Sequence, residues 1–129
     1  MTASPHRLLI VDDEEPILRL LMDYLEDYGG FLVRAAESSE KGLEVLAREP
    51  ADACIVDMRL PGMDGENFII AAWERGLCRH FILHTGSVDM VLSDTLRRAG
   101  LTNADLFLKP TDMDLLIQRL RAVLQTEGE

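Results

Sequence analysis

The sequence of 129 residues predicts one doubly wound α/β domain, in which helices cover both faces of a parallel sheet. Short apolar runs recur along it, and each is continuous rather than alternating, as in strands that are buried on both faces. Segments with helical periodicity separate these runs. A strand followed by a helix, repeated along the whole chain, is typical of parallel sheets with right-handed crossovers.

The apolar runs that predict strands lie at residues 8–11, 31–33, 53–56, 81–83 and 106–108. After the first of them, Pro16 favours the first turn of a helix, which ends at Gly29 and Gly30. The predicted buried face of this helix consists of Ile17, Leu20, Leu21, Tyr24 and Leu25.

The next two helices have polar residues at their predicted starts. The second begins at Ser38 or Ser39 and ends before Pro50, and the third begins after Asp64. Their predicted inward residues are Leu43 and Leu46 in the second helix, and Phe68, Ile69 and Ala72 in the third.

The fourth helix has the weakest apolar pattern and is expected over residues 87–99. Its large apolar residues are Met90, Val91 and Leu96. Because they are few, we expect this helix to be the least firmly packed. The fifth helix begins where Thr111 and Asp114 have the spacing of a capping box. Its predicted buried stripe is Met113, Leu116, Ile117, Leu120, Val123 and Leu124.

Composition excludes several classes of function. The net charge of −10 repels nucleic-acid phosphates and anionic lipids, so we expect no direct nucleic-acid binding and no membrane association. No apolar stretch approaches the ~20 residues of a membrane span. Cys54 lies inside an apolar run, which favours buried, reduced thiols and a cytoplasmic location. We expect a domain at residues 7–125 between flexible tails at residues 1–6 and 126–129.

Charged and polar residues follow the predicted strands directly. Asp12 and Asp13 follow the first strand, Asp57 the third, Thr85 the fourth and Lys109 the fifth. Each residue alone is most simply a turn former, a helix cap or a solvated charge. Because ligands bind beyond the carboxyl ends of parallel strands, their common placement predicts a site at that edge.

This set of side chains predicts phosphoryl transfer chemistry. Carboxylates at ~4 Å repel each other by roughly 4 kcal/mol, so the three aspartates require a cation. Ligands that are all oxygen suit Mg²⁺, for which Asp12 and Asp13 are well placed on one loop. Asp57 follows the central strand and is the predicted nucleophile, while Lys109 supplies a second positive charge.

Four motifs carry a resemblance to a known family: LLIVDDEEPI at residues 8–17, CIVDMRLPGMDG at 54–65, ILHTG at 82–86 and LFLKP at 106–110. With these motifs in this order, the chain resembles the receiver domain of two-component response regulators, especially the single-domain chemotaxis type. The resemblance extends from residue 7 to about residue 124. It implies a flavodoxin-like fold of five parallel strands in the order 2-1-3-4-5 with five helices.

The resemblance also implies a role for each site residue. Asp57 would accept a phosphoryl group from a histidine kinase or phosphotransfer protein. Thr85 would bind one phosphoryl oxygen, and Lys109 would pair with another. The implied Mg²⁺ ligands are the side chains of Asp12, Asp13 and Asp57 and the backbone carbonyl of Arg59.

Further positions implied by the resemblance concern regulation. Arg59 and Ser87 would tune the rate at which the phosphate is hydrolysed, and the Lys109-Pro110 bond would be cis. Leu106 occupies the position of the family's switch aromatic, and Phe107 should point to the opposite face because a strand alternates its side chains. We therefore expect the phosphorylation chemistry to be that of the family and the usual aromatic readout to be altered.

Other functions fit part of the pattern. A Mg²⁺-dependent phosphohydrolase would use the same aspartyl phosphate but is expected to have an aspartate where Arg59 stands, together with a cap over the site. An unphosphorylated pseudo-receiver scaffold should tolerate loss of the acidic pair or the lysine. The downstream partner is an effector protein or a lost output domain. His6, His80 and His84 lack partners at metal-ligand spacing and are expected at the surface or at strand ends.

Overall fold

The computed structural model describes the backbone of residues 5–127 and the side chains of residues 5–124, so the outer parts of both expected tails lie outside the described residues. The strands are β1 (Arg7–Val11), β2 (Leu32–Ala36), β3 (Ala53–Asp57), β4 (His80–Thr85) and β5 (Leu106–Leu108). The helices are α1 (Glu15–Asp27), α2 (Ser39–Arg48), α3 (Gly65–Glu74), α4 (Asp94–Arg98) and α5 (Met113–Glu127). A short 3-10 helix, Asn103–Asp105, precedes β5.

The strands form one parallel sheet in the order β2-β1-β3-β4-β5, which confirms the predicted fold. In the register, Val11 lies beside Val56, Asp57 beside His84, and Thr85 beside Leu108. The carboxyl ends of β1, β3, β4 and β5 therefore meet at one edge.

Two apolar cores lie on the two faces of the sheet. Helices α2, α3 and α4 cover one face, where Phe68, Ile69 and Leu96 are buried against Leu83 and Val56. On the other face, α1 and α5 cover alternate residues of the same strands. This alternation explains why the strands read as continuous apolar runs. The predicted inward residues of α2, α3 and α5 are confirmed as buried or packed against these cores.

The first helix and second strand differ in detail from the prediction. Leu18, not Leu20, belongs to the buried face of α1, and Leu20 is 62% exposed. The buried residues Leu18, Leu21 and Leu25 have helical spacing, whereas Leu20 is rotated away from them. Strand β2 runs from Leu32 to Ala36 because its backbone pairs with all five residues of β1, although Arg34 interrupts the apolar run.

Helix α4 is much shorter than residues 87–99, and the prediction of its length was wrong. It begins only at Asp94, where the Ser93 hydroxyl oxygen accepts a hydrogen bond from the Leu96 amide at 3.2 Å. Val88 and Val91 before it are each 78% exposed, so Val91 is not the apolar contact that was expected, and of the described residues 87–93 only Met90 and Leu92 hold this segment against the core. The expectation of few firm contacts agrees with this geometry.

The start of α5 also differs from the prediction, because Asp112 caps it instead of Thr111. The carboxylate oxygen Oδ1 of Asp112 accepts hydrogen bonds from the amides of Asp114 at 3.0 Å and Leu115 at 3.2 Å. The Thr111 hydroxyl instead donates to the Leu108 carbonyl at 2.9 Å. The predicted capping box at Thr111 is therefore wrong by one residue.

Replacing Asp112 with alanine should lower the free energy of unfolding by about 1 kcal/mol, since two amides at the helix start lose their acceptor. Thr111→Val is the matched control, because it removes only the hydroxyl bond to Leu108, and it should have a smaller effect. Urea denaturation of both variants measures the difference. Equal losses, or none in Asp112→Ala, would contradict this assignment of the cap.

Candidate functional site

The carboxyl edge of the sheet brings together four of the side chains predicted to form a site. Asp12 directly follows β1, Asp57 and Thr85 end β3 and β4, and Lys109 directly follows β5. Asp12, Asp57 and Thr85 are buried, although all three are polar. Burial of polar groups at one edge, rather than in the sheet interior, is typical of a functional site.

The ammonium group of Lys109 joins these strands electrostatically. Its Nζ lies 3.1 Å from Asp12 Oδ2 and 3.4 Å from Asp57 Oδ2. Burial alone would lower the pKa of Lys109, but the hydrogen bond and charge of Asp12 and the charge of Asp57 outweigh burial and raise this pKa. The ammonium therefore remains charged, and it partly neutralises the two buried carboxylates.

The Asp57 carboxylate is held from two sides. Its Oδ1 accepts a hydrogen bond from the Arg59 amide at 3.1 Å, and its Oδ2 faces Lys109. Burial raises the pKa of Asp57, and the charge of Asp12 adds to this effect, while the Arg59 amide and Lys109 oppose it. The net shift is upward, so the ionised carboxylate is less stable here than in water and gains from added positive charge.

An acidic cluster at this edge has the chemistry of a magnesium site. Carboxylate oxygens of Asp12, Asp13, Glu14 and Asp57 all lie within 4.8 Å of one another. Hard oxygen ligands of this kind suit Mg²⁺. Glu14 was not predicted from the sequence; its Oε1 lies 3.3 Å from Lys109 Nζ, and its place directly after Asp13 could have indicated it.

Thr85 and Ser87 form the rim of the site beside β4. The Thr85 Oγ1 accepts a hydrogen bond from the Ser87 amide at 3.1 Å, and the Thr85 carbonyl accepts one from the Lys109 amide at 2.8 Å. A hydroxyl that accepts a bond through its oxygen keeps its proton for donation. Because the Lys109 amide is bonded to the Thr85 carbonyl, the pairing of β4 with β5 keeps the Thr85 hydroxyl and the Lys109 ammonium at the same site. The Lys109-Pro110 peptide bond is cis, as the resemblance implied.

Leu106 and Phe107 occupy opposite faces of the sheet, as predicted. Leu106 packs against the core beneath α2, α3 and α4, and Phe107 packs against the core beneath α1 and α5. Phe107 therefore lies across the sheet from the position that Leu106 occupies. The side chain of β5 that faces α4 is therefore Leu106, not an aromatic residue.

His84 lies near the end of β4, as one of the two expectations has it, but it is not at the surface. His84 is buried, and neither ring nitrogen has a hydrogen-bond partner among the described residues. Burial, together with the charge of Lys109, lowers the pKa of His84 to about 4. The signal was present in the sequence, since His84 stands inside a strand that is covered on both faces.

Comparison with known proteins gives the family. The profile described as Response regulator receiver domain matches residues 8–121. The chain belongs to this family. In agreement with this, a solved receiver domain from Methanospirillum hungatei, described as CheY-like, has a TM-score of 0.82 and 28% identity, and the match covers 97% of this chain and 98% of that one.

Curated relatives of this receiver domain are longer proteins. The transcriptional regulatory protein GltR of Pseudomonas aeruginosa is 32% identical over 129 residues, which cover 97% of this chain and 51% of the relative. The virulence sensor protein BvgS of Bordetella pertussis is 37% identical over 133 residues, which cover 93% of this chain and 10% of the relative. The receiver domain thus spans about half of the first relative and a tenth of the second. In the described part of the receiver domain, no helix is long and apolar enough to cross a bilayer.

The buried His84 should make folding stability depend on pH. Its pKa is about 4 in the folded protein and 6.5 ordinarily, so the unfolded chain binds the proton first as the pH falls. The resulting stability is fully present above pH 6.5 and is lost as the pH falls towards 4, by about 3 kcal/mol.

The variant His84→Leu isolates this effect, because the carboxylates that titrate in the same range are unchanged. The free energy of unfolding of the variant, measured by urea denaturation between pH 7 and pH 4, should fall less steeply than that of the natural protein. Parallel curves for the two proteins would show that His84 does not titrate in this way.

Proposed function

We propose that this receiver domain accepts a phosphoryl group on Asp57 from the phosphohistidine of a histidine kinase or phosphotransfer protein. The observation that supports this most strongly is the bridge that Lys109 forms between Asp12 and Asp57 at the carboxyl edge. A buried carboxylate beside a fixed cation and further acidic oxygens is suited to attack on phosphorus.

The transfer exchanges one bond to phosphorus for another. An oxygen of Asp57 attacks in line, the phosphorus–nitrogen bond to the donor histidine breaks, and that nitrogen recovers its lone pair. Lys109 and the Thr85 hydroxyl stabilise the charge on the equatorial phosphoryl oxygens. The product is an acyl phosphate on Asp57.

A Mg²⁺ ion fits the acidic cluster, and this receiver domain would hold it through Asp12, Asp13 and Asp57, with the Arg59 backbone carbonyl as a fourth ligand. When bound, the ion supplies positive charge to the carboxylates and to the transferred group. Asp12 also fixes the loop, because its Oδ1 accepts a hydrogen bond from the Glu14 amide at 2.9 Å. Glu14 lies close enough to contribute a further oxygen or to bind a ligated water.

The negative charge of the phosphoryl group drives the conformational switch. A phosphoryl group adds roughly two negative charges near neutral pH, and these attract Thr85 and Lys109. Movement of Thr85 shifts a pre-existing equilibrium of residues 86–93 and α4. Leu106 provides less bulk than an aromatic to fill the space that Thr85 leaves, so the change is read on a reshaped surface beside α4.

The receiver domain acts as a signalling switch whose only catalysis is its own phosphorylation and slow dephosphorylation. Arg59 and Ser87 tune the second reaction, since the Arg59 amide donates a hydrogen bond to Asp57 and the Ser87 amide donates one to Thr85. The phosphohydrolase hypothesis is not favoured, because Arg59 stands where a second aspartate is expected. The pseudo-receiver hypothesis is not favoured either, because the acidic pair, Asp57 and Lys109 are all present.

The output partner is an effector protein or an output domain that belongs to a longer chain. The longer relatives support the second possibility, and the domain boundaries at residues 7 and 125 are consistent with either. The strongly negative charge argues against direct contact with nucleic acid. Unbridged Cys54 and Cys78 support a reducing, cytoplasmic location.

Incubation with acetyl phosphate and Mg²⁺ should add one phosphoryl group per chain, as measured by intact mass. The modification should be removed by hydroxylamine, which cleaves acyl phosphates, and Asp57→Asn should abolish it. Asp23→Asn, an exposed carboxylate on α1, is the matched control and should leave phosphorylation unchanged. A phosphate that survives in Asp57→Asn would refute this acceptor.

Loss of the Asp13 carboxylate should weaken Mg²⁺ binding by at least about tenfold, because one oxygen ligand and one negative charge are removed. Isothermal titration calorimetry with MgCl₂ measures this. Glu15→Gln is the control, since Glu15 lies nearby but pairs with Arg19 at 3.1 Å. Equal affinity in Asp13→Ala and the natural protein would remove Asp13 from the ligand set.

A further inference from the structure

We propose that Cys54 and Cys78 form a reversible disulfide when a hydroperoxide reaches them. Their Sγ atoms lie 3.2 Å apart, and both side chains are buried. This pair lies outside the phosphorylation site and takes no part in the chemistry described for it. The structure thus contains a modification site of the thiol–disulfide class.

The two thiols belong to different elements that the fold brings together. Cys54 is the second residue of β3, and Cys78 lies in the connection between α3 and β4. The Cys54 thiol donates a hydrogen bond to the Cys78 sulfur, and the Cys78 thiol donates one to the His80 carbonyl at 3.3 Å. A disulfide requires an S–S distance of about 2.05 Å, so the sulfurs need to approach by only about 1.2 Å.

Cys78 is the thiol that an oxidant meets first. Cys54 is fully buried in the sheet, and burial and the hydrogen bond to Cys78 raise its pKa, so it is a poor first nucleophile. Cys78 lies beneath the turn at the end of α3, which the Leu77 amide holds by bonding to the Ala72 carbonyl at 2.9 Å. Local opening of this turn exposes Cys78 while β3 stays in the sheet.

The reaction proceeds in two steps with a balanced exchange of electrons. The Cys78 thiolate attacks the peroxide O–O bond to form a sulfenic acid, and the leaving oxygen takes a proton and departs as water or an alcohol. The Cys54 thiol then attacks the sulfenic sulfur, and the hydroxyl leaves as water. Two thiols lose two electrons, and one peroxide is reduced.

The position of the pair decides what the disulfide does. The chain contains only two cysteines, so a sulfenic acid on Cys78 has Cys54 as its one resolving thiol in the molecule. The closed loop includes Asp57, Arg59 and α3. Because Cys54 lies near the start of β3 and Asp57 ends it, the bond constrains the unfolded chain without reaching the carboxyl edge.

The test uses the folded natural protein with hydrogen peroxide, followed by trypsin digestion without reductant. The expected product is one covalent species in which the peptide of residues 49–59 is joined to that of residues 76–79. Dithiothreitol should separate them. The oxidised protein should also unfold at a temperature higher by at least about 5 °C.

Two controls make the outcome decisive. Cys54→Ala and Cys78→Ala should each abolish the linked species, and oxidation of methionines in the same samples reports that the peroxide was active. If both thiols remain unmodified in samples whose methionines are oxidised, the proposal is overturned. It would equally be overturned by disulfides between two chains, or by sulfinic acids in place of the link. The natural protein alone distinguishes these outcomes if a variant fails to fold.

Discussion

The bridge from Lys109 to Asp12 and Asp57 is the interaction on which the site depends. Two ionised carboxylates about 4 Å apart repel each other by roughly 4 kcal/mol at an effective dielectric constant near 20, and both are buried here. The ammonium that offsets this repulsion comes from a position 97 residues after Asp12. The doubly wound topology is what places it there, since β1, β3, β4 and β5 all end at one edge.

Much of this arrangement could be predicted because the functional side chains lie in the sequence at the carboxyl ends of the apolar runs. A strand covered on both faces produces a continuous apolar run, and the next residue is then the first that reaches the edge. Asp12 and Lys109 directly follow β1 and β5, and Asp57 and Thr85 are the last residues of β3 and β4. The sheet order came from the resemblance to a family, since apolar runs alone do not specify which strands are neighbours.

The features that were missed depend on contacts that periodicity does not encode. The helix starts at Ser93 and Asp112 are set by hydrogen bonds from backbone amides to these two side chains. Neighbouring polar residues can accept the same bonds, so the sequence alone does not identify the cap. Glu14 contacts Lys109 because the fold brings the loop after β1 close to the end of β5.

The short α4 and the leucine at position 106 have a common consequence for the switch. Residues 86–93 are tied to the site through the Ser87 amide on Thr85, and to the core mainly through Leu92 and the Ser93 hydroxyl on Glu66 at 3.1 Å. A segment with so few contacts rearranges at a small free energy. Since Leu106 has no aromatic ring to reorient, we propose displacement of this segment as the principal route by which movement of Thr85 reaches the surface.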